Sequence, residues 1–177
     1  GKPGYAADVG IRGENIEAIG DLSQAAARRV VAAAGLTVSP GFIDTHTHSD
    51  AVLLTDPQHA EGLRQGITTE ILGQDGLSYA PTSPANLESL LLYLRALNGL
   101  PPDDVRWSSV KEFLELFDRR VSCNVGYFLP HAAIRVEAMG WEARLPTEAE
   151  LSRMEALARE AMRGGAFGFS TGLTYPP

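Results

Sequence analysis

The chain has 177 residues, 44% of them hydrophobic, which is enough for one sizeable core. Its 15 basic and 22 acidic residues leave a net charge of −7, and with no basic cluster a nucleic-acid groove and an anionic membrane surface are excluded as partners. The single cysteine, Cys123, permits no internal disulfide and fits the cytoplasm, and the longest apolar stretch, Val30 to Val38, is too short to span a bilayer.

In chain order, Asp8–Arg12, Ile16–Ile19 and Val30–Ala32 read as short strands punctuated by Gly, Asn and Asp, as in a small antiparallel sheet. Residues 1–39 are too little for a domain alone and are expected to pair with strands from elsewhere. With no initiator Met at Gly1 and a Pro-Pro end at Pro177, the chain reads as part of a longer protein. After Pro40-Gly41 the pattern changes to strand alternating with helix. Phe42–His46 reads as a strand. Asp56-Pro57 is expected to cap a short helix closed by Gly66. Ile67–Leu72 is a β-branched strand, and Ser83-Pro84 opens a helix with Leu87, Leu90, Leu91, Leu94 and Leu97 on one face. Ser109 and Glu112 form a capping box before a helix running to about Arg119. Asn124–Leu129 is the third strand. A second box, Thr147 and Glu150, opens a helix with Leu151, Met154, Leu157, Ala158 and Met162 inward. Gly164-Gly165 ends it, and Ala166–Ser170 is the fourth strand. This alternation predicts a parallel sheet. No G-x-G-x-x-G follows the first strand, so the dinucleotide-binding version loses its main support.

Barrel enzymes gather their chemistry at the carboxyl ends of the strands, where each polar candidate falls. Residues two apart in a strand share a face, so His46 and His48 are expected to project together, with Asp44 one step deeper. Two imidazoles aimed at one point suit a zinc-like ion, and a solvated strand end is the alternative. A third ligand must come from a neighbouring strand end. Asp75, in "ILGQDGLSYAP", is placed for that, although a turn aspartate making its own Asx bonds reads equally well. His131, after the third strand, is placed to reach the same ring of strand ends or to serve structure. His59 is expected to be exposed, and Cys123 to be a small core residue at the opposite end. Ser170, Thr171 and Tyr175 offer hydroxyls to a substrate or form a turn.

"PGFIDTHTHSD" resembles the first barrel strand of the amidohydrolase superfamily. "QGITTEILGQDGLSYAP" and "GAFGFSTGLTYPP" are similar to its N-acyl-D-amino-acid deacylase (D-aminoacylase) branch, and "ADVGIRGENIEAIGDL" resembles that family's small β-sandwich. The resemblance covers essentially the whole chain. It implies an α/β fold, the first half of a (β/α)8 TIM-like barrel over residues 40–177, preceded by part of a β-sandwich domain over 1–39. It further implies a hydrolase holding one or two zinc ions that cleaves the amide of a small N-acyl-D-amino acid. His46 and His48 match the ligands of the first strand. Asp75 stands where many relatives carry a zinc-binding cysteine, which makes for a harder ligand. Tyr175 matches a tyrosine expected near the substrate carboxylate, and Ser170 is a second substrate-side candidate. The family's two later histidines and its catalytic aspartate would lie beyond residue 177, so the segment alone is expected to be inactive. A relative acting on cyclic amides, of the dihydroorotase or hydantoinase kind, and a non-catalytic metal-binding relative are the alternatives. Nothing in the sequence sets the oligomeric state.

Overall fold

A computed structural model describes residues 3–176; Gly1, Lys2 and Pro177 lie outside them. The described residues fall into two compact units, one up to Ser39 and one from Pro40. In the first unit, β1 (Asp8–Arg12) and β2 (Asn15–Gly20) form an antiparallel hairpin with a register shift between Gly10 and Ile11. Gly13 opens its two-residue turn with φ +61°, a conformation that favours glycine. The Asp8 carboxylate accepts a hydrogen bond from the Leu22 backbone N–H at 3.0 Å and fastens the segment after the hairpin. The strand expected at Val30–Ala32 is irregular backbone. Val30 and Val31 are exposed, so their β-branched side chains find no sheet to pack on.

The second unit carries a four-stranded parallel sheet in the order β3 (Phe42–Asp44), β4 (Ile67–Leu72), β5 (Asn124–Pro130), β6 (Gly168–Ser170). Each strand lies beside the next in sequence, the arrangement of a (β/α) barrel opened halfway round. β3 is shorter than expected. A shift between Phe42 and Ile43 disturbs its pairing with β4, and the ladder ends at Asp44 opposite Glu70. His46 and His48 therefore sit on the segment beyond the strand.

The helices follow their sequence signals where local chemistry was strong. α3 (Pro84–Asn98) buries Leu87, Leu90 and Leu94, while Leu97 is exposed. Both capping boxes form, at Ser109 ahead of α4 (Val110–Glu115) and at Thr147 ahead of α6 (Glu148–Arg163). α6 turns Met154 and Ala161 inward rather than Leu151 and Met162, which are exposed. Three features correct the sequence reading. Asp56 closes a short helix, α1 (Val52–Thr55), instead of opening the next one. The next, α2 (Ala60–Arg64), is capped by His59 in the left-handed region. An additional helix, α5 (His131–Met139), starts directly from the end of β5. The core between sheet and helices is built on Leu72, Tyr79, Leu90, Leu94, Phe113, Tyr127 and Leu129. Among the described residues no helix is long and apolar enough to cross a membrane.

Gly73, at the end of β4, has φ +77°, and a Cβ there would run into the carbonyl oxygen of Phe128 on β5. The left-handed backbone alone costs a non-glycine residue about 1–2 kcal/mol. Gly73→Ala should therefore lose more than about 2 kcal/mol in urea denaturation, because the clash adds to that cost. A loss under about 1 kcal/mol would mean that β4 and β5 do not approach each other at this point.

Candidate metal centre

The three residues proposed as ligands from the sequence come together at the carboxyl end of the sheet. His46 Nε2 and His48 Nε2 each lie 3.3 Å from the same oxygen, Asp75 Oδ2. One ligand atom from each of the three falls within 4.8 Å of the others, and among the described residues no other group of at least three His, Cys, Asp or Glu does so. Two ligands held about 2.0–2.1 Å from a tetrahedral ion stand about 3.3 Å apart. The donor set thus has the spacing and chemistry a zinc-like cation requires. The site is open to solvent on one side: the His46 side chain is 58% exposed, that of Asp75 35% and that of His48 20%.

Asp75 reaches the histidines because of its backbone. The turn after β4, Gln74–Gly76, has Asp75 in the left-handed region at φ 56° and ψ 19°. Aspartate is among the few non-glycine residues that adopt it readily. Glycines flank it because the chain is crowded there. A Cβ on Gly76 would lie 2.9 Å from the Gly172 backbone nitrogen, and one on Gly172 would collide with the Asp75 carbonyl. The turn after β4 and the segment after β6 are thus packed backbone against backbone.

Several buried polar residues that the sequence reading did not single out tie these segments together. Gln74 Nε2 donates to the Thr45 and Ile71 carbonyls at 2.9 and 2.8 Å, joining the histidine segment to β4. Asp50, fully buried, accepts from the Gly73 N–H at 3.2 Å and from the Ser78 hydroxyl. Burial pushes its carboxyl up to about 6, against the pull of the Ser78 hydrogen bond. Its second oxygen has no hydrogen-bond partner. Asn98, the last residue of α3 and fully buried, places Oδ1 3.2 Å from His48 Nδ1. Glu70 on β4, also buried, accepts from the Ser49 hydroxyl and lies 3.1 Å from His59 Nε2. His59, expected to be exposed, is therefore mostly buried against Glu70, because its left-handed cap position turns the ring toward the sheet. The available sequence signal was polarity inside apolar text: Asp50 precedes "AVLL", and Glu70 interrupts a β-branched strand.

The remaining candidates are distributed around this centre. The Ser170 hydroxyl accepts from the Gly76 N–H at 3.0 Å and donates to the Gly73 carbonyl, so both sides of it are engaged by the Asp75 turn. His131, the first residue of α5, lies 3.3 Å from the Thr171 hydroxyl through Nδ1. Burial and the nearby Arg135 charge hold its pKa below the usual imidazole value. His131, Gly76, Arg135 and Tyr175 line a cleft of about 500 Å³ beside the turn. Cys123 is half-buried against the core, and burial pushes its thiol up to about 11.

Known proteins resemble the chain over its whole length. The chain is 39% identical to N-acyl-D-aspartate deacylase of Alcaligenes xylosoxydans xylosoxydans, over 100% of its own length and 35% of the relative's. It superposes on an N-acyl-D-glutamate deacylase from Bordetella bronchiseptica, solved with zinc and a phosphonate mimic of the tetrahedral intermediate. That match has a TM-score of 0.84 and 35% identity, covering 99% of this chain and 36% of the other. A D-aminoacylase studied for its binuclear metal centre gives a TM-score of 0.83 at 38% identity, covering 99% and 36%. The chain thus spans about 35% of the length of the curated relatives it matches. The resemblance read from "PGFIDTHTHSD" and "GAFGFSTGLTYPP" is borne out, and the barrel-type fold with it. The pattern of the amidohydrolase family matches residues 29–176, through every strand of the parallel sheet and all three converging candidate residues, and the chain belongs to that family.

Proposed function

We propose that this chain supplies the first four strand–helix units of a zinc-dependent hydrolase acting on the amide bond of N-acyl-D-amino acids. The observation that carries the reading is the convergence of His46, His48 and Asp75 on one point at the carboxyl end of a parallel sheet. The kinship to N-acyl-D-aspartate deacylase supports the substrate class. A zinc ion held by these residues would supply Lewis acidity toward an acyl carbonyl and acidify water to a pKa of about 7. Asp75 contributes a hard carboxylate oxygen donor, which a divalent metal ion accepts. Gln74, Asp50 and Ser170 keep the ligand-bearing segments in register, and Ser170 acts here as a tie. His131 and Tyr175 border the cleft in which the acylated amino acid would lie, with Tyr175 facing its carboxylate. Proton transfer to the leaving amine falls to an aspartate from a later strand. The residues up to Ser39 form part of a β-sandwich domain in this reading. A reducing cytoplasm suits the lone Cys123.

The complete protein should release free D-amino acid from N-acyl-D-aspartate or N-acyl-D-glutamate, measured by amine assay. The 177-residue chain alone should release none above a metal-free control. Equal turnover by the chain alone would refute the division of the machinery.

Replacing both His46 and His48 with Ala should lower zinc per chain and abolish deacylase activity while leaving the circular dichroism spectrum intact. Unchanged zinc content would place the metal elsewhere.

Asp75→Asn separates the ligand role from the turn role, since asparagine tolerates the left-handed backbone equally well. It should keep the fold and lose zinc affinity and rate by about 100-fold or more. Normal zinc stoichiometry and normal rate in this variant would reduce Asp75 to a turn residue.

A further inference from the structure

We propose that Asn98 is a positioning residue that selects the proton tautomer of His48 and so presets its Nε2 as a metal donor. The inference rests on the reading of His48 as a ligand, and goes beyond it by assigning how that ligand is prepared before any ion arrives.

The argument starts from the two ends of one amide. Asn98 is fully buried at the end of α3. Its Nδ2 donates to the Leu77 carbonyl at 3.3 Å. A carbonyl accepts only, so the nitrogen of the amide must face Leu77 and the oxygen must face the other way. Turning the amide over would set two oxygens against each other in a buried site, which costs about 1–3 kcal/mol. The backbone allows no escape, because the Asn98 carbonyl is itself held by the Ala51 N–H at 2.9 Å.

The amide oxygen therefore faces His48 Nδ1 at 3.2 Å. An oxygen that only accepts requires a proton on Nδ1. In the neutral ring that proton is the only one, so Nε2 carries the lone pair. Nε2 is the atom that lies 3.3 Å from Asp75 Oδ2. A metal ion between that lone pair and the carboxylate oxygen would satisfy both. The Leu77 carbonyl, through Asn98, thus determines which nitrogen of His48 is free to bind. His46 is different: its backbone N–H donates to Asp44 Oδ1 at 3.1 Å, and its ring is the more exposed of the two.

The test begins on the complete protein without metal. Nitrogen-15 NMR of the His48 ring, at a pH where it is neutral, should show the proton on Nδ1. A ring protonated mainly on Nε2 would overturn the proposal whatever the variants do. Asn98→Leu removes the acceptor at similar volume. It should raise the dissociation constant for zinc, read by competition with a chelating dye, by about 10- to 100-fold, and mix the two tautomers. Asn98→Asp keeps an acceptor oxygen toward Nδ1 while setting its other oxygen against the Leu77 carbonyl, so it should lose stability, yet retain the tautomer and bind zinc about 10-fold or more tighter than the leucine variant. Thermal unfolding of the metal-free variants separates misfolding from lost positioning. If the leucine variant does not fold, the wild-type tautomer and the aspartate variant still decide. Unchanged tautomer and zinc affinity in a folded Asn98→Leu protein would also overturn the proposal. Zinc binding that survives replacement of His48 itself would instead defeat the ligand reading on which it rests.

Discussion

The carboxyl end of this sheet depends on one constraint: the segment after β3 must be locked to the turn after β4. His46 and His48 lie outside the hydrogen-bond ladder, so no strand pairing fixes them. Gln74, bonded to both the Thr45 and Ile71 carbonyls, supplies part of the missing register. Asp50 supplies another part through the Gly73 N–H and the Ser78 hydroxyl. Both side chains are buried, where an unmade hydrogen bond costs about 1–3 kcal/mol. Moving either segment breaks these bonds, and the three candidate ligand atoms stay in reach of one another as a consequence.

The glycines of the Asp75 turn serve the same end by subtraction. Gly73 and Gly76 take positive φ values and leave room for β5 and for the segment after β6. Ser170 then closes the gap from the fourth strand, with its hydroxyl on the same turn. The turn is held from three strands at once, and Asp75, which takes the left-handed backbone beside Gln74, presents its carboxylate where they meet. Structure here is spent on holding a charge still beside two imidazoles.

The sequence was informative where chemistry is local. β4 begins and ends at the residues its β-branched run indicates, and both capping boxes appear where Ser109–Glu112 and Thr147–Glu150 placed them. The His-x-His pair and Asp75 were legible as candidates because few residue types bind a metal. What was hidden depends on tertiary contact. The Val30–Ala32 pattern has β propensity and no partner to pair with among the described residues. Asp56 looks like an N-cap in isolation, but α1 ends on it. α5 follows β5 with no connecting turn, so the segment from His131 carries no separate start signal in the sequence. Asn98 belongs to no sequence motif, and only the fold brings it to His48.

The account's central claim is that His46, His48 and Asp75 share one cation. Anomalous diffraction at the zinc edge, on crystals of the complete protein grown with zinc, tests it directly. The claim predicts a peak about 2.0–2.2 Å from Nε2 of both histidines and from a carboxylate oxygen of Asp75. A peak bound to other side chains only, with Asp75 still turned onto the two rings, would contradict it.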